Sequence, residues 1–220
     1  MQKMTKIGAA ALAIALGLTA LGTGIQSGTH AATPAAKPAA AVPLTGAWTV
    51  DGTHTNVGFS IRHLGISTVR GRFSDVSGNI VANAAHPEKS SVSFTIQATS
   101  VDTDNKMRDD HLRGADFFDV AKYPQITFQS TKVAKGKGGG YVATGNLTMH
   151  GVTKAVSLPF NIDGPIKDPF GGTRFGLETQ TKLNRHDYGV GATGMFSGDS
   201  AVGSDVNVTI SLEATAAKKA

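Results

Sequence analysis

The side chains of this 220-residue chain that could do chemistry are few and spread apart. The seven histidines stand at His30, His54, His63, His86, His111, His150 and His186, and no two share the spacing by which one strand or helix offers paired metal ligands. Histidines at turns and strand ends that bond to backbone explain them more simply, so no metal is expected. Cysteine is absent, which removes disulfides, thiolate metal sites and thiol nucleophiles. There is no G-x-S-x-G elbow, no H-E-x-x-H, no phosphate loop and no G-x-G-x-x-G that opens a helix. Arg70 and Arg72 share one face of a strand, opposite Val69, Gly71 and Phe73; a solvated outer face accounts for them, and a place at a cavity rim is the functional alternative. Arg108, Asp109, Asp110, His111 and Arg113 form a charged knot that helix caps and surface ion pairs explain. Adjacent on a helix, Asp109 and Asp110 point about 100° apart and make a poor acid/base pair. The single tryptophan, Trp48, reads as a plug at one end of the fold. No catalytic residue is assigned, and an enzyme using His and Asp at a cavity mouth, such as His111 or His186, is the alternative to a binding protein.

The elements that would position these groups are strands. Val92, Phe94, Ile96 and Ala98 alternate with Ser91, Ser93, Thr95 and Gln97, and Val206, Val208, Ile210 and Leu212 alternate with Asn207, Thr209, Ser211 and Glu213. Weaker alternation of period two runs through residues 57–61, 69–73, 126–128, 141–149 and 152–160. One apolar face per strand argues for an antiparallel sheet half open to water, since parallel strands covered on both faces read as continuous apolar runs. Turn signals separate them at Ser77-Gly78-Asn79, Gly136 to Gly140, His150-Gly151 and Gly171-Gly172. Only Asp102 to Val120 has helical punctuation: Thr103 or Asp104 as cap, with Met107, Leu112, Phe117 and Phe118 facing a core. Eight or more such strands form a two-sheet sandwich or a closed barrel, and periodicity does not choose between them. Glycine, 27 of 220 residues, exceeds the average of about 7% and leans toward a barrel, whose coiled strands need it at their bends.

Residues 1–31 read as a secretory signal. Lys3 and Lys6 precede an uncharged apolar run from Ile7 to Leu21, followed by small and polar residues. That run is shorter than the roughly 17 to 25 residues of a spanning helix, so the chain is expected to be exported, cleaved and not membrane-spanning. Residues 32–44 are an Ala/Pro-rich linker, leaving 45–220 as one domain. The net charge of +5 comes from Lys3, Lys6, Lys37, Lys218 and Lys219, because residues 45–217 hold sixteen bases and sixteen acids. A phosphate-tracking surface needs clustered bases, so no nucleic acid is expected.

Six ordered blocks are familiar as a set: Trp48 to His54, Val57 to Phe73, Arg108 to Arg113, Phe117 to Pro124, Ile126 to Thr131 and Leu147 to Lys154. On these the chain resembles the YceI-like family of exported bacterial proteins over nearly all of Gly46 to Glu213. Thr55 stands where the family usually has serine, and the Gly136 to Gly140 loop is unusually rich in glycine. The resemblance implies an all-β fold, an extended eight-stranded antiparallel lipocalin-like barrel with a short helical segment. It also implies an apolar tunnel that holds a polyisoprenoid or isoprenoid-quinone-like amphiphile as a hydrophobic small-molecule ligand, with no cofactor, periplasmic residence and often a homodimer.

Within that frame the tunnel lining is expected from Phe59, Ile61, Phe94, Ile96, Phe128, Leu147, Val156, Val208 and Ile210. The mouth is expected at the Leu64 to Ser67 turn, the Asp109 to Phe118 segment and Asn184 to Tyr188. There Leu64, Ile66, His111, Phe117, Phe118, Arg185 and Tyr188 are the candidate contacts. A barrel filled by its own side chains would use the same lining residues, which keeps open a stress-protective protein with no ligand.

Overall fold

Inward apolar and outward polar residues alternate along nearly every extended segment, and this alternation builds a barrel. The computed structural model describes residues 43–217; the leader at 1–31 and nearly all of the linker at 32–44 lie outside them. The strands are β1 (Thr45–Val50), β2 (Asn56–His63), β3 (Ser67–Phe73), β4 (Val76–Asn83), β5 (Ser91–Gln97), β6 (Val101–Asp102), β7 (Gln125–Lys135), β8 (Tyr141–Met149), β9 (Val152–Lys167), β10 (Thr173–Asn184) and β11 (Val202–Ala216), and one helix, α1 (Lys106–Arg113), lies between β6 and β7.

All pairings are antiparallel, in the order β1-β4-β5-β7-β8-β9-β10-β11-β2-β3-β6, and β1 also pairs with β11. The long β11 holds two partners end to end: Ala214 to Ala216 face β1, and Val202 to Ser211 face β2. β1 and β2 are therefore two parts of one bent strand. β3 with β4 and β5 with β6 repeat the arrangement, since β4 lies beside β1 and β5, and β3 beside β2 and β6. Counted so, eight antiparallel strands close on themselves, and the sandwich alternative is excluded.

The bends fall together. The Asp51 amide donates to the Glu213 carbonyl (2.8 Å), the Gln97 amide to the Asp75 carbonyl (2.9 Å) and the Ser74 amide to the Ser100 carbonyl (3.4 Å). Past this level β7 pairs with β5 only as far as Gln97↔Gln125, while β6 pairs with β3 alone. The wall parts there, and α1 with the chain that follows it occupies the gap. Arg113 ties the helix back, donating to the Thr99 (2.8 Å) and Val101 (2.7 Å) carbonyls.

Three features differ from the sequence reading. Ser77-Gly78-Asn79 is the middle of β4, where Gly78 faces inward: a Cβ there would sit 2.6 Å from the Ser93 carbonyl oxygen and 3.0 Å from a Val50 methyl, so the glycine serves close packing. β1, β4 and β10 are further strands that the alternation did not single out, because small or polar residues (Gly46, Gly78, Gly176, Thr179, Thr181) take inward or mid-strand places. The helix cap is Asn105, whose Oδ1 accepts from the Arg108 amide (3.0 Å); Thr103 is buried just before it.

The interior has two parts. At the end bounded by β1 and β4, Trp48 meets Phe175 edge-on at 4.9 Å and Tyr141 stacks on Phe160 at 5.5 Å. Ile80, Val133 and Ala143 are buried in the same core, and the void left at this end is about 40 Å³. The other end is hollow. Among the described residues no helix is long and apolar enough to cross a membrane.

Candidate functional site

The hollow part is a cavity of about 690 Å³ walled by inward residues of β2, β3, β5, β7, β8, β9, β10 and β11 and crossed by α1. Its size lies within the usual range for ligand sites. The wall is made mainly of Val, Ile, Leu, Phe and Met. One thin place in it is deliberate: a Cβ on Gly71 would come 2.7 Å from the Thr103 methyl and 2.9 Å from the Asp102 carbonyl oxygen, and would run into the Phe59 ring. Without it Phe59 lies across β3, 5.6 Å from Phe73, and Phe73 in turn meets Phe118 edge-on at 5.5 Å.

Of the residues expected to line a tunnel, Phe59, Ile61, Phe94, Ile96, Phe128, Leu147, Val208 and Ile210 lie in this wall. Val156 does not; it packs half-buried on the core, and Leu158, two residues along the same face of β9, reaches the wall. Of the expected mouth residues, His111, Phe117, Phe118 and Arg185 border the cavity. Leu64 and Ile66 stand outside it on the β2–β3 turn, where Leu64 (φ 51°) and Gly65 (φ 69°) are both left-handed. Tyr188 does not line the cavity; it is buried against Phe117 and Val190 of the wall, and burial pushes its phenol up.

Arg185, expected at the mouth, borders the cavity with its guanidinium turned to backbone. It is 4% exposed, and its guanidinium donates to the carbonyls of Val190 (3.0 Å), Gly191 (2.5 Å), Phe196 (2.6 Å), Gly198 (3.3 Å), Val202 (3.0 Å) and Gly203 (2.9 Å). Burial pulls its pKa downward, and backbone dipoles stabilise the charge in place of a carboxylate. The side chain shapes the 189–203 connection so that Phe196 is held against α1. There Phe196 lies 5.0 Å from Phe117 and 5.3 Å from His111, and His111 lies 5.1 Å from Phe117. The His111 Nε2 reaches Asp116 at 3.4 Å.

The charged knot on α1 is likewise spent on structure. Asp109 is buried and accepts from the Thr103 amide (2.9 Å) and hydroxyl (2.5 Å), while Arg108 donates to the Thr103 hydroxyl and carbonyl, both at 2.7 Å. Asp110 faces outward to Lys106 (2.5 Å) and Arg113 (3.1 Å), which hold its carboxyl below the usual range. Arg70 and Arg72 lie on the outer face, Arg72 paired with Asp102 at 2.9 Å. Besides Thr103, Arg108 and Arg185, the polar residues that line the cavity are His63, Asn105, His111, Thr127 and Thr181.

One polar cluster was not read from the sequence. Asp51, His54 and Glu213 place one ligand atom each within 4.8 Å of one another. Arg174 already supplies the positive charge, bonding Asp51 (3.0 Å), Glu213 (2.5 Å) and Asp168 (2.8 Å). The Thr53 hydroxyl, then His54 and Arg174, hold the Asp51 carboxyl well below the usual carboxylate range. Filled by a guanidinium at the strand bend, the cluster is a brace between β1, β10 and β11. Residues far apart in the sequence build it, which is why spacing alone did not reveal it.

Comparison with known proteins agrees with this architecture. The chain is 44% identical to the protein YceI of Escherichia coli O17:K52:H18 over 140 residues, which span 64% of this chain and 73% of that one. The crystal structure of Burkholderia cenocepacia BcnA superposes with a TM-score of 0.68 at 26% identity, covering 74% of this chain and 98% of that one. A polyisoprenoid binding domain from Saccharophagus degradans superposes with a TM-score of 0.61 at 18% identity, covering 77% and 98%; at that identity it speaks to the fold. The YceI-like domain description matches residues 48–214, and the chain belongs to the YceI-like family.

Proposed function

We propose that the protein is a non-catalytic carrier that holds one amphiphile with a long apolar tail, of the polyisoprenoid or isoprenoid-quinone kind, inside the barrel. The observation that carries this reading is the 690 Å³ cavity, walled mainly by apolar side chains with few polar ones among them. A tail in the hollow would be screened from water by side chains of eight strands, and its headgroup would sit near His63, Asn105 and His111. Each buried methylene-sized group is worth about 0.8 kcal/mol, so one isoprene unit contributes roughly 4 kcal/mol gross, and ordering and desolvation leave the net affinity far below the sum. A long apolar tail has no stable place in free water, which gives such a container its use. The polyisoprenoid-binding domain among the structural relatives supports the same ligand class. The arginines nearest the cavity, Arg108 and Arg185, are committed to backbone and to Thr103, which fits holding better than turnover. We place the carrier in the periplasm on the strength of the basic and apolar leader at residues 1–31.

The test is extraction of the purified protein with organic solvent and mass spectrometry of the extract. A prenylated or similar amphiphile, recovered repeatedly and in proportion to protein, supports the reading. Extracts without amphiphile, from protein that also fails to take up an added prenylated quinone, overturn it.

A further inference from the structure

The rim of the cavity has a feature that holding a ligand does not require. Large apolar side chains stand in water there on three separate segments: Ile66 (81% exposed) with Leu64 (54%) on the β2–β3 turn, Met107 (83%) on α1, and Met195 (74%) on the 189–203 connection. Hydrogen bonds and packing join the three around one opening. The Leu64 amide donates to the Ala201 carbonyl at 3.0 Å, and His63 pairs with Val202, both of them wall residues. Phe196, next to Met195, packs on His111, which is one turn along α1 from Met107. Met107 is at once this exposed and part of the cavity wall, so the hollow reaches water beside it.

From this geometry we infer that the rim docks on a lipid bilayer, with Leu64, Ile66, Met107 and Met195 entering the interface so that the cavity opens directly into it. The inference rests on the carrier reading and adds the donor surface. Three observations select a bilayer over a protein partner. The four apolar side chains are spread over three separate segments and form no continuous patch of one element, an arrangement that enters fluid acyl chains more readily than it matches a rigid surface. The segments bearing these side chains at the turn and the long connection are uncharged, at 64–69 and 190–198. Basic groups stand beside them: Arg62, whose guanidinium bonds the Gly65 carbonyl (2.6 Å), and Lys106, adjacent to Met107. Asp110 partly neutralises Lys106, so only a modest preference for anionic lipid is expected. A continuous apolar path from acyl chains to cavity also spares the cargo from crossing water.

The experiment uses the full chain with vesicles of phosphatidylethanolamine and phosphatidylglycerol, with and without brominated acyl chains. Ile66→Trp reports on the rim. Phe170→Trp, at a side chain 94% exposed on the β9–β10 hairpin, reports on an equally bare position remote from the cavity. Trp48, buried in the filled part, supplies a constant background. Docking predicts roughly twofold or greater quenching of the Ile66→Trp indole by brominated lipid, and little for Phe170→Trp. A companion Leu64→Ser/Met195→Ser change in the Ile66→Trp chain, at two exposed side chains outside the cavity wall, reduces that quenching while leaving the extracted amphiphile unchanged. Unquenched Ile66→Trp emission, or equal quenching at both sites, overturns the docking. So does a blue shift that grows with protein concentration without vesicles, which assigns the rim to a second copy. Solvent extraction keeps the two readings apart: an amphiphile recovered without quenching leaves the carrier standing and removes the docking, and quenching with an empty extract does the reverse.

Discussion

The two ends of the barrel are built from the same strands and the same alternating pattern, yet one is filled and the other hollow. At the filled end the inward places hold Trp48, Tyr141, Phe160 and Phe175, and the remaining void is about 40 Å³. At the hollow end they hold Val, Ile and Leu together with Phe59, Phe73, Phe94 and Phe128, and the bent strands β2, β3 and β6 part from β7 to leave about 690 Å³. Both ends carry aromatic side chains, so the difference comes from the shared bends, below which β6 pairs with β3 alone and the wall parts from β7. Alternation decides which side of a strand faces inward; it does not decide how much of the interior the inward side chains fill.

The sharpest way to break this contrast is to truncate a side chain in each part. Trp48→Ala removes a buried ring with packed neighbours on all sides and should cost about 3 to 5 kcal/mol. Ile61→Ala acts on a half-buried side chain that already faces a void, where contacts on one side were never made, and should cost about 1 kcal/mol. Denaturant melts of the two variants measure the gap; equal losses would mean that the hollow end is packed in solution.

Next in size is the clamp that frames the opening. Arg185→Met leaves six carbonyls without their donor and should cost about 3 kcal/mol. The loss should be concentrated in the amides of 189–203, as read by hydrogen exchange, with the Trp48 end keeping its protection. Filling the hollow acts the other way. Val208→Phe adds volume where there is room, so stability should change by less than about 1.5 kcal/mol while the amphiphile recovered by extraction falls severalfold.

The brace at the bend separates the parts electrostatically. The Asp51 carboxyl is depressed in the folded protein by Thr53, His54 and Arg174. Its contribution is therefore full above its ordinary value of 3.8 and is lost as pH falls through the lower, folded value. Asp51→Asn should melt below the parent at neutral pH, and the difference should shrink as pH drops below about 4. Melting temperatures over pH 2 to 7 test the sign.

How far the sequence revealed all this follows from how locally each feature is encoded. β5 and β11 alternate strictly and declare their inward faces, so Phe94, Ile96, Val208 and Ile210 could be placed in a wall from the sequence. β4 hides its strand behind Gly78, and β10 behind Thr179 and Thr181, because a close approach and a mixed interior look like a turn or a loop when read along one chain. The eight-strand closure and the tunnel entered through family resemblance. Arg185 is expected at the mouth because its segment interrupts the strands with mixed polar and aromatic residues; its role depends on carbonyls five to eighteen residues away, which no local pattern announces. Leu64 and Ile66, expected at the mouth, stand exposed outside the cavity wall on a turn where Leu64 and Gly65 are both left-handed.

The smallest expected effect tests the boundary between the two parts. Thr179 faces inward on β10, paired with Phe160 at the filled end and with Ile210 in the cavity wall. Its hydroxyl is buried with no hydrogen-bond partner among the described residues. A buried hydroxyl left unpaired costs free energy that an isosteric methyl does not, so Thr179→Val should stabilise the fold by about 1 kcal/mol, seen as a small rise in melting temperature. If a polar group of the cargo reaches that depth, Thr179→Val should also lower the amphiphile recovered. If only the apolar tail lies there, recovery should hold or increase, and the polar end of the ligand then belongs at the α1 opening.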